Sequence, residues 1–400
     1  NENGREIYNL NSPFNAVLDA PVGDCIYNPY LDHFLISENA YFDDRAAGIK
    51  VFNNDENNSM EPDIISLEEE NDGDRSYYAR NMFIAPNGNL YVLADMNYGN
   101  GNKPKVFVYS ATDADYPLLG CDEITNIPEL GTWHDYFYGH FCYNPYNGKV
   151  YASIEPQHHK MIPYEASSNS LNGNPDGSGI LIEIDLNKST GSYEISNSII
   201  LPHAGKIIFP DMGNPDFTST RYGNKMFIVG ERFIEISPPY DDQSIIEKHR
   251  DFIDITFSPR HDMMFLLADE QNPAGAEENR LITLYTIEYN ESTQEIEFNT
   301  VFEKEGQASS LFYNQYDGKV YTYQKMDNYK MGATPSRLLS FEYDPGASFP
   351  ISPDVTDLGI YSLYPEFDHN PDNVIGLSLC NIMSPPINPK NQTKYIPNRT

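Results

Sequence analysis

Apolar residues in this chain occur in short runs separated by turn-forming residues, and one such pattern recurs. Residues 141–151 (FCYNPYNGKVY) and 312–321 (FYNQYDGKVY) both contain a strand-like run, an Asn-Gly or Asp-Gly turn and a second run. Such turns place positive φ angles at both central residues, which Asn, Asp and Gly tolerate best. The pattern therefore predicts a β-hairpin in each segment.

The hairpin pattern recurs along the chain at nearly constant spacing. Further copies lie at 26–36, 82–91 and 255–267, with a degenerate copy at 222–227 and a last one at 362–377. Counted between Pro29, Pro86, Pro145, Pro259 and Gln315, the steps are 57, 59, 114 and 56 residues, and the gap of 114 has room for one more copy. A fixed period of this length is typical of repeat folds.

Two further strands follow each hairpin, for example at 105–109, 179–184 and 337–343. Four strands per period are typical of one propeller blade. The last copy has only its first two strands, and segments 6–10 and 14–18 can supply the others. The sequence thus predicts an all-β, seven-bladed β-propeller whose last blade is shared between the N- and C-terminal strands. Six or eight blades are the alternatives, and the count is weakest at blade four.

The predicted propeller spans 1–383 as a single domain, in which 1–23 supply the closing strands of the last blade. A Pro/Asn-rich tail follows at 384–400. Helices are not expected, because 29 Pro and 26 Gly interrupt every stretch long enough for a helical period.

Acidic residues dominate the charge of the 400-residue chain. Counting 26 Lys and Arg against 59 Asp and Glu gives a net charge of -33, which repels nucleic acids and anionic membrane surfaces. Cations, basic proteins and neutral glycans are the better-matched partners. No apolar run approaches the roughly 20 residues that a transmembrane segment needs.

The hairpin phrases resemble those of the YVTN and NHL class of bacterial propellers. The Tyr-Asn-Pro and Asp-Gly-Lys-Val-Tyr phrases, at 27–29 and 317–321, are similar to those of exported gut-bacterial propeller lipoproteins of unknown function. This resemblance covers nearly the whole chain and implies an exported protein, periplasmic or on the cell surface, with a lipid anchor upstream of residue 1. It implies no catalytic residue.

Carboxylates end most of the predicted second strands. The propeller topology places these ends on one face, the top face, where the long loops also gather. Oxygen ligands around one axis suit calcium or another divalent cation, although solvent exposure is the simpler alternative. The candidate metal ligands are Glu38, Asp95, Glu155, Glu231 and Asp269, with Lys325 at the equivalent place in blade six.

Blade three carries a cluster of aromatic and histidine residues on its top-face segments. Trp133 is the only tryptophan of the chain, and an aromatic platform can stack on a sugar ring or anchor a protein partner. Loop packing and a transition-metal site are the alternatives. The candidate ligand-binding residues are Trp133, His134, Tyr136, Tyr138, His158, His159 and Tyr164.

The sequence contains no nucleophile, base and acid in a recognisable arrangement. We therefore expect a non-enzymatic recognition or scaffold propeller of the cell envelope that binds a glycan or protein through its top-face loops. The alternative is a metal-assisted propeller enzyme, a lyase, lactonase or hydrolase, that uses His134, His140, His158 or His159. A purely structural module is a third class. Near the predicted closure, Cys25 and Cys380 are expected either to form a disulfide or to stay unpaired.

Overall fold

The computed structural model describes residues 22–38, 48–53, 63–67, 77–96, 104–124, 135–158, 179–212, 218–230, 233–241, 243–246, 252–271, 280–289, 296–315, 317–325, 335–346 and 350–360. Within these ranges the chain forms 24 β-strands, arranged as six four-stranded antiparallel sheets. The same ranges contain no helix that is long and apolar enough to cross a membrane.

Each sheet consists of four strands that are consecutive along the chain. Blade one contains β1 (Val22–Asn28), β2 (His33–Glu38), β3 (Gly48–Asn53) and β4 (Asp63–Ser66). Blade two contains β5 (Tyr77–Ile84), β6 (Asn89–Met96), β7 (Lys105–Ser110) and β8 (Leu118–Glu123). Blade three contains β9 (Asp135–Tyr143), β10 (Val150–His158), β11 (Gly179–Asn187) and β12 (Ser192–Leu201).

The other three sheets have the same strand order. Blade four contains β13 (Lys206–Ile208), β14 (Met226–Val229), β15 (Phe233–Ile236) and β16 (Gln243–Ile246). Blade five contains β17 (Phe252–Ser258), β18 (Met263–Gln271), β19 (Arg280–Tyr289) and β20 (Ile296–Glu305). Blade six contains β21 (Gln307–Asn314), β22 (Lys319–Lys325), β23 (Pro335–Glu342) and β24 (Asp354–Ile360).

The six sheets follow one another as the blades of a β-propeller. The first strand of each blade packs against the first strand of the next, in the order β1, β5, β9, β13, β17 and β21. The all-β propeller class is therefore confirmed, and the degenerate fourth copy is a complete blade. The seventh copy at 362–377 and the closing strands within 1–23 lie outside the described residues, apart from the first residues of β1. The shared last blade stays a prediction.

The hydrophobic core lies between blades, so the middle strands are buried on both faces. In β6, Leu90 and Val92 belong to the cluster shared with blade one, whereas Tyr91 and Leu93 belong to the cluster shared with blade three. A strand covered on both sides needs apolar residues at every position, not at alternate ones. This explains the unbroken apolar run from Met263 to Ala268 in β18.

The Asn-Pro-Tyr phrase of the hairpins joins neighbouring blades. In blade three, Asn144 Oδ1 accepts the backbone N–H of Tyr146 at 2.9 Å, and the Tyr146 hydroxyl donates to the carbonyl oxygen of Pro210 at 2.6 Å. In blade one, Tyr30 makes the equivalent bond to the carbonyl oxygen of Pro86 at 3.0 Å. The asparagine shapes the turn, and the tyrosine binds the following blade.

The Asn-Gly-Lys-Val-Tyr phrase stabilises the hairpin turn itself. Asn147 Oδ1 accepts the N–H of Lys149 at 3.0 Å, and its Nδ2 donates to the hydroxyl of Tyr151 at 3.0 Å. Gly148 alone takes a positive φ, of 75°. The expected pair of positive φ angles is therefore wrong, because a four-residue connection needs the left-handed conformation only at its end. Asn87 Nδ2 donates to the Tyr91 hydroxyl in the same way, whereas in blade six the Tyr321 hydroxyl donates to the Asp317 carboxylate.

Removing the Tyr146 hydroxyl is expected to weaken the contact between blades three and four. Tyr146→Phe should lower the free energy of unfolding by about 1 kcal/mol, because it leaves the Pro210 carbonyl without this donor. Urea denaturation measures the change. Tyr193→Phe is the control, since the structure describes no hydrogen bond for that hydroxyl. Equal effects of the two changes would contradict the role of Tyr146.

Candidate functional site

Long connections gather at one end of the described blades. Because strands alternate in direction, the connections that follow the second strands all leave from the top face. Five of these are long, at 39–47, 97–104, 159–178, 272–279 and 326–334, whereas the first hairpins of blades one, five and six turn within 29–32, 259–262 and 315–318. Long connections also leave from the opposite face, at 209–225 in blade four and, after third strands, at 54–62 and 343–353.

Blade three brings three of the predicted ligand-binding residues to its top end. Tyr136 pairs with Gln157 across β9 and β10, Tyr138 pairs with Glu155, and His158 pairs with Asp135. The backbone register thus places them at one end of one hairpin. Their side chains, and all of Trp133, His134, His159 and Tyr164, lie outside what the structure describes, so the aromatic platform stays a prediction.

The predicted carboxylate ring has one member out of register. Asp95, Glu155 and Asp269 each lie two residues beyond the second-strand residue that pairs with the fifth position before the anchor proline, whereas Glu38 lies one residue beyond it. Glu155 lies in β10, and Glu231 lies outside the described residues. Since successive strand residues belong to opposite faces, Glu38 is not at the position equivalent to the others. The cation site stays a prediction.

The described cysteines do not test the predicted disulfide. Cys25 in β1 has no disulfide partner among the described residues, and burial, together with the charge of Asp24, raises the pKa of its thiol to about 12. Cys380 lies outside the described residues, so its pairing with Cys25 stays a prediction.

Equivalent positions on the first strands of the described blades are mostly polar. Each is the fifth residue before the proline position of its hairpin, so the repeat brings all of them to equivalent places. In chain order they are Asp24, Asn81, His140, Gly205, Asp254 and Ser310.

Two of these residues join neighbouring blades through their carboxylates. Asp254 accepts the N–H of Ile255 at 2.7 Å and the N–H of Leu311, in the next blade, at 2.8 Å. Asp24 accepts the N–H of Met82 in the same way at 2.7 Å. Both carboxylates lie at bulges of their first strands, where a ladder hydrogen bond is lost. The aspartates replace that bond with one to the adjacent blade.

His140 occupies the same position in blade three but has no hydrogen-bond partner among the described residues. The charged groups that act on it are Lys206 and Asp254, whose Nζ and Oδ1 atoms lie 3.1 Å apart. Burial and the Lys206 ammonium lower the pKa of His140 to about 4, while Asp254 opposes the shift. His140 is also exposed on one side, and solvent contact makes the shift smaller in the same direction. The lowered pKa favours the neutral imidazole at pH 7.

The depressed pKa of His140 gives a pH-dependent term in stability. Between about 4 and 6.5 the unfolded chain binds more protons at this residue than the folded chain, so its contribution to stability falls as the pH falls. We expect the unfolding free energy of the native chain minus that of His140→Gln to increase from pH 4 to pH 7. Urea denaturation at a series of pH values measures it. A difference independent of pH would contradict the assignment.

Sequence reasoning placed His140 among the histidines of blade three but missed Asp24, Lys206 and Asp254. The signal for the two aspartates was present, since each lies five residues before an anchor proline. It was hidden because this chain is rich in acidic residues, which are usually exposed. Lys206 has no such signal, as the hairpin of blade four is degenerate.

No protein-family model and no curated protein sequence matches the chain. Similar solved structures include the RRP9 WD40 repeats, at 7% identity over 76% of this chain and 87% of that chain, with a TM-score of 0.31. An exo-1,5-α-L-arabinanase from a bovine ruminal metagenomic library matches at 10% identity over 85% and 99%, with a TM-score of 0.32. The α-L-arabinanase of Cellvibrio cellulosa, complexed with arabinohexaose, matches at 13% over 84% and 96%, with a TM-score of 0.34. Likeness at this level carries no argument about function.

Proposed function

We propose that this propeller is a non-enzymatic recognition scaffold that binds a glycan or a protein through its top face. The observation that carries the proposal is that the connection after the second strand is long, at least eight residues, in five of the six described blades. On the other face, the first hairpins of blades one, five and six are tight turns. Binding loops on a rigid scaffold are a common arrangement in proteins.

Blade three supplies the anchor of the proposed site. The connection at 159–178 is the longest of the top-face set, and the segment before β9 contains Trp133. Together with Tyr136, Tyr138 and His158 at the strand ends, these segments would form an amphipathic surface for a sugar ring or a protein side chain. The net charge of -33 favours neutral or basic ligands.

Trp133 provides a direct test of the proposal. It is the only tryptophan, so tryptophan fluorescence reports on this segment alone. We expect a ligand selected from glycan and protein arrays to change the fluorescence saturably. We also expect Trp133→Ala to reduce the affinity at least tenfold, measured by calorimetry because this variant lacks the fluorophore. Trp133→Phe, which keeps an aromatic ring, is the matched control and should retain most of the affinity. Array ligands that bind Trp133→Ala as well as the native chain would overturn the proposal.

The second candidate, a metal-assisted enzyme, has one observation in its favour. His140 favours the neutral imidazole form and is exposed on one side, as a general base or a metal ligand must be. Against a metal, the Lys206 ammonium lies nearby, and the described residues contain no group of three or more His, Cys, Asp and Glu side chains suited to one. Stoichiometric manganese or zinc in protein purified without added metal would favour this candidate.

For location, we propose export to the periplasm or cell surface with a lipid anchor upstream of residue 1, as in the propeller lipoproteins that the hairpin phrases resemble. A top-face cation site for calcium belongs to the same proposal. A melting temperature that rises with added calcium and falls again with EDTA would support that site.

A further inference from the structure

An open cleft of about 330 Å³ separates the outer parts of blades two and three. One wall comes from the end of β8 and the other from β11 and the middle of β12. It lies at the outer rim of the propeller. The lining residues are Asp122, Glu123, Ile124, Ile182, Ile195, Ser196, Asn197 and Ser198.

The cleft forms because the two outermost strands touch at one end and then diverge. At Gly120 they are so close that a Cβ atom would lie 2.4 Å from the carbonyl oxygen of Tyr193. Two residues further along β8, Asp122 Oδ2 accepts the N–H of Ile195 in β12 at 2.9 Å. Beyond this bond β12 bulges at Ser196, where its pairing with β11 shifts register. The bulge turns β12 away from β8 and opens the cleft.

The two walls combine an apolar surface with neutral hydrogen-bonding groups. Ile124 and Ile182 are buried in the core behind the cleft, and the half-buried Ile195, which packs on that core, supplies the apolar surface. Asn197 Oδ1 accepts the N–H of Ser198 at 2.8 Å, which leaves the two Nδ2 donors without a partner among the described residues. Ser196 adds a hydroxyl that donates to Glu183 at 2.6 Å and can still accept.

The carboxylates of the cleft exclude anions without making a cation site. Asp122 already accepts two backbone N–H groups, from Glu123 at 2.8 Å and from Ile195. No set of three metal-binding side chains occurs here or elsewhere in the described ranges. The cleft therefore suits a neutral ligand that both donates and accepts hydrogen bonds and has one apolar face.

We propose that the cleft between blades two and three binds a neutral sugar residue. Its hydroxyls donate to the carboxylates and accept from Asn197, while its apolar face packs on Ile195. A volume of about 330 Å³ lies at the small end of ligand sites, which fits a single ring. This site is separate from the proposed top-face site and does not depend on Trp133.

The test is saturation-transfer NMR on the full chain with glucose, galactose, mannose and xylose as neutral probes, and with glucuronate and glucosamine as charged ones. We expect at least one neutral sugar to bind with millimolar affinity and glucuronate to bind at least tenfold more weakly. Asn197→Trp, at an exposed position, fills the cleft and should abolish the signal, whereas Asn197→Ala should weaken it. Ser189→Trp, in the turn of the same hairpin, should leave the signal unchanged.

Three results would overturn the proposal: no binding of any neutral probe, binding that survives Asn197→Trp, or a preference for glucosamine over the neutral sugars. Thermal melts of each variant confirm that it is folded. Trp133→Ala distinguishes the two sites, because it should remove top-face binding and leave the cleft signal intact.

Discussion

Replacing Gly205 with alanine is expected to disrupt blade four and to destabilise the folded chain strongly. A Cβ atom on this residue would lie 1.9 Å from the carbonyl oxygen of Val229 and 2.6 Å from its carbonyl carbon. Both are backbone atoms at the end of β14, so no side chain can move aside. The β13–β14 pairing, which begins at Lys206 and Val229, must break or shift. We expect a loss of more than about 3 kcal/mol in unfolding free energy.

Gly191→Ala is the matched control for this change. Gly191 has a positive φ of 73° with no atom near its missing Cβ, so alanine there costs only the backbone strain, about 1 kcal/mol. Urea denaturation of both variants separates steric overlap from strain. Equal losses would show that blade four can relax around the added methyl group.

Replacing Asp254 with alanine is expected to have the next largest effect. The change leaves the N–H groups of Ile255 and Leu311 without their acceptor and removes the partner of Lys206. Asp254 is only 5% exposed, so water cannot easily replace the carboxylate. Removing one partner of a buried, hydrogen-bonded charge pair costs several kcal/mol, and since Lys206 is partly exposed we expect about 3 kcal/mol.

Asp241→Ala is the control for charge alone, because Asp241 is exposed and the structure describes no contact for it. It should change the unfolding free energy by less than about 0.5 kcal/mol. Asp24→Ala, at the equivalent position in blade one, should resemble Asp254→Ala. A small effect at both sites would mean that the first-strand bulges do not need their aspartates.

The hairpins of this chain were predictable because their turn chemistry is local. Asn147, Gly148 and Tyr151 interact within five residues, and the same set recurs in other blades. Blade four was the weakest prediction because residues 209–225 replace the tight turn. The contacts between blades could not be predicted residue by residue, since Tyr146 and Pro210 are 64 positions apart and nothing local marks the acceptor.

The candidate site was only partly predictable, because hairpins of different length shift the register of the second strands between blades. Counting from the anchor proline grouped Glu38 with Asp95, each nine residues on. The hairpin of blade two is one residue shorter, because Ala85 bonds to Asn89 whereas Asn28 pairs with His33. Equal counts therefore reach different strand positions. The length of the hairpin loop therefore decides which side chains lie at equivalent strand positions in different blades. Only the strand pairing reveals that length.

The tyrosines that bond across blades have a consequence for how such a chain can lengthen or shorten. The donor tyrosine lies in blades one and three, and the acceptor carbonyl lies in the blade that follows each of them, blades two and four. Duplication or loss of such a pair of blades would therefore keep donor and acceptor together, whereas loss of one blade of a pair would separate them. Relatives of this protein that differ in size should differ by pairs of blades in this part of the chain.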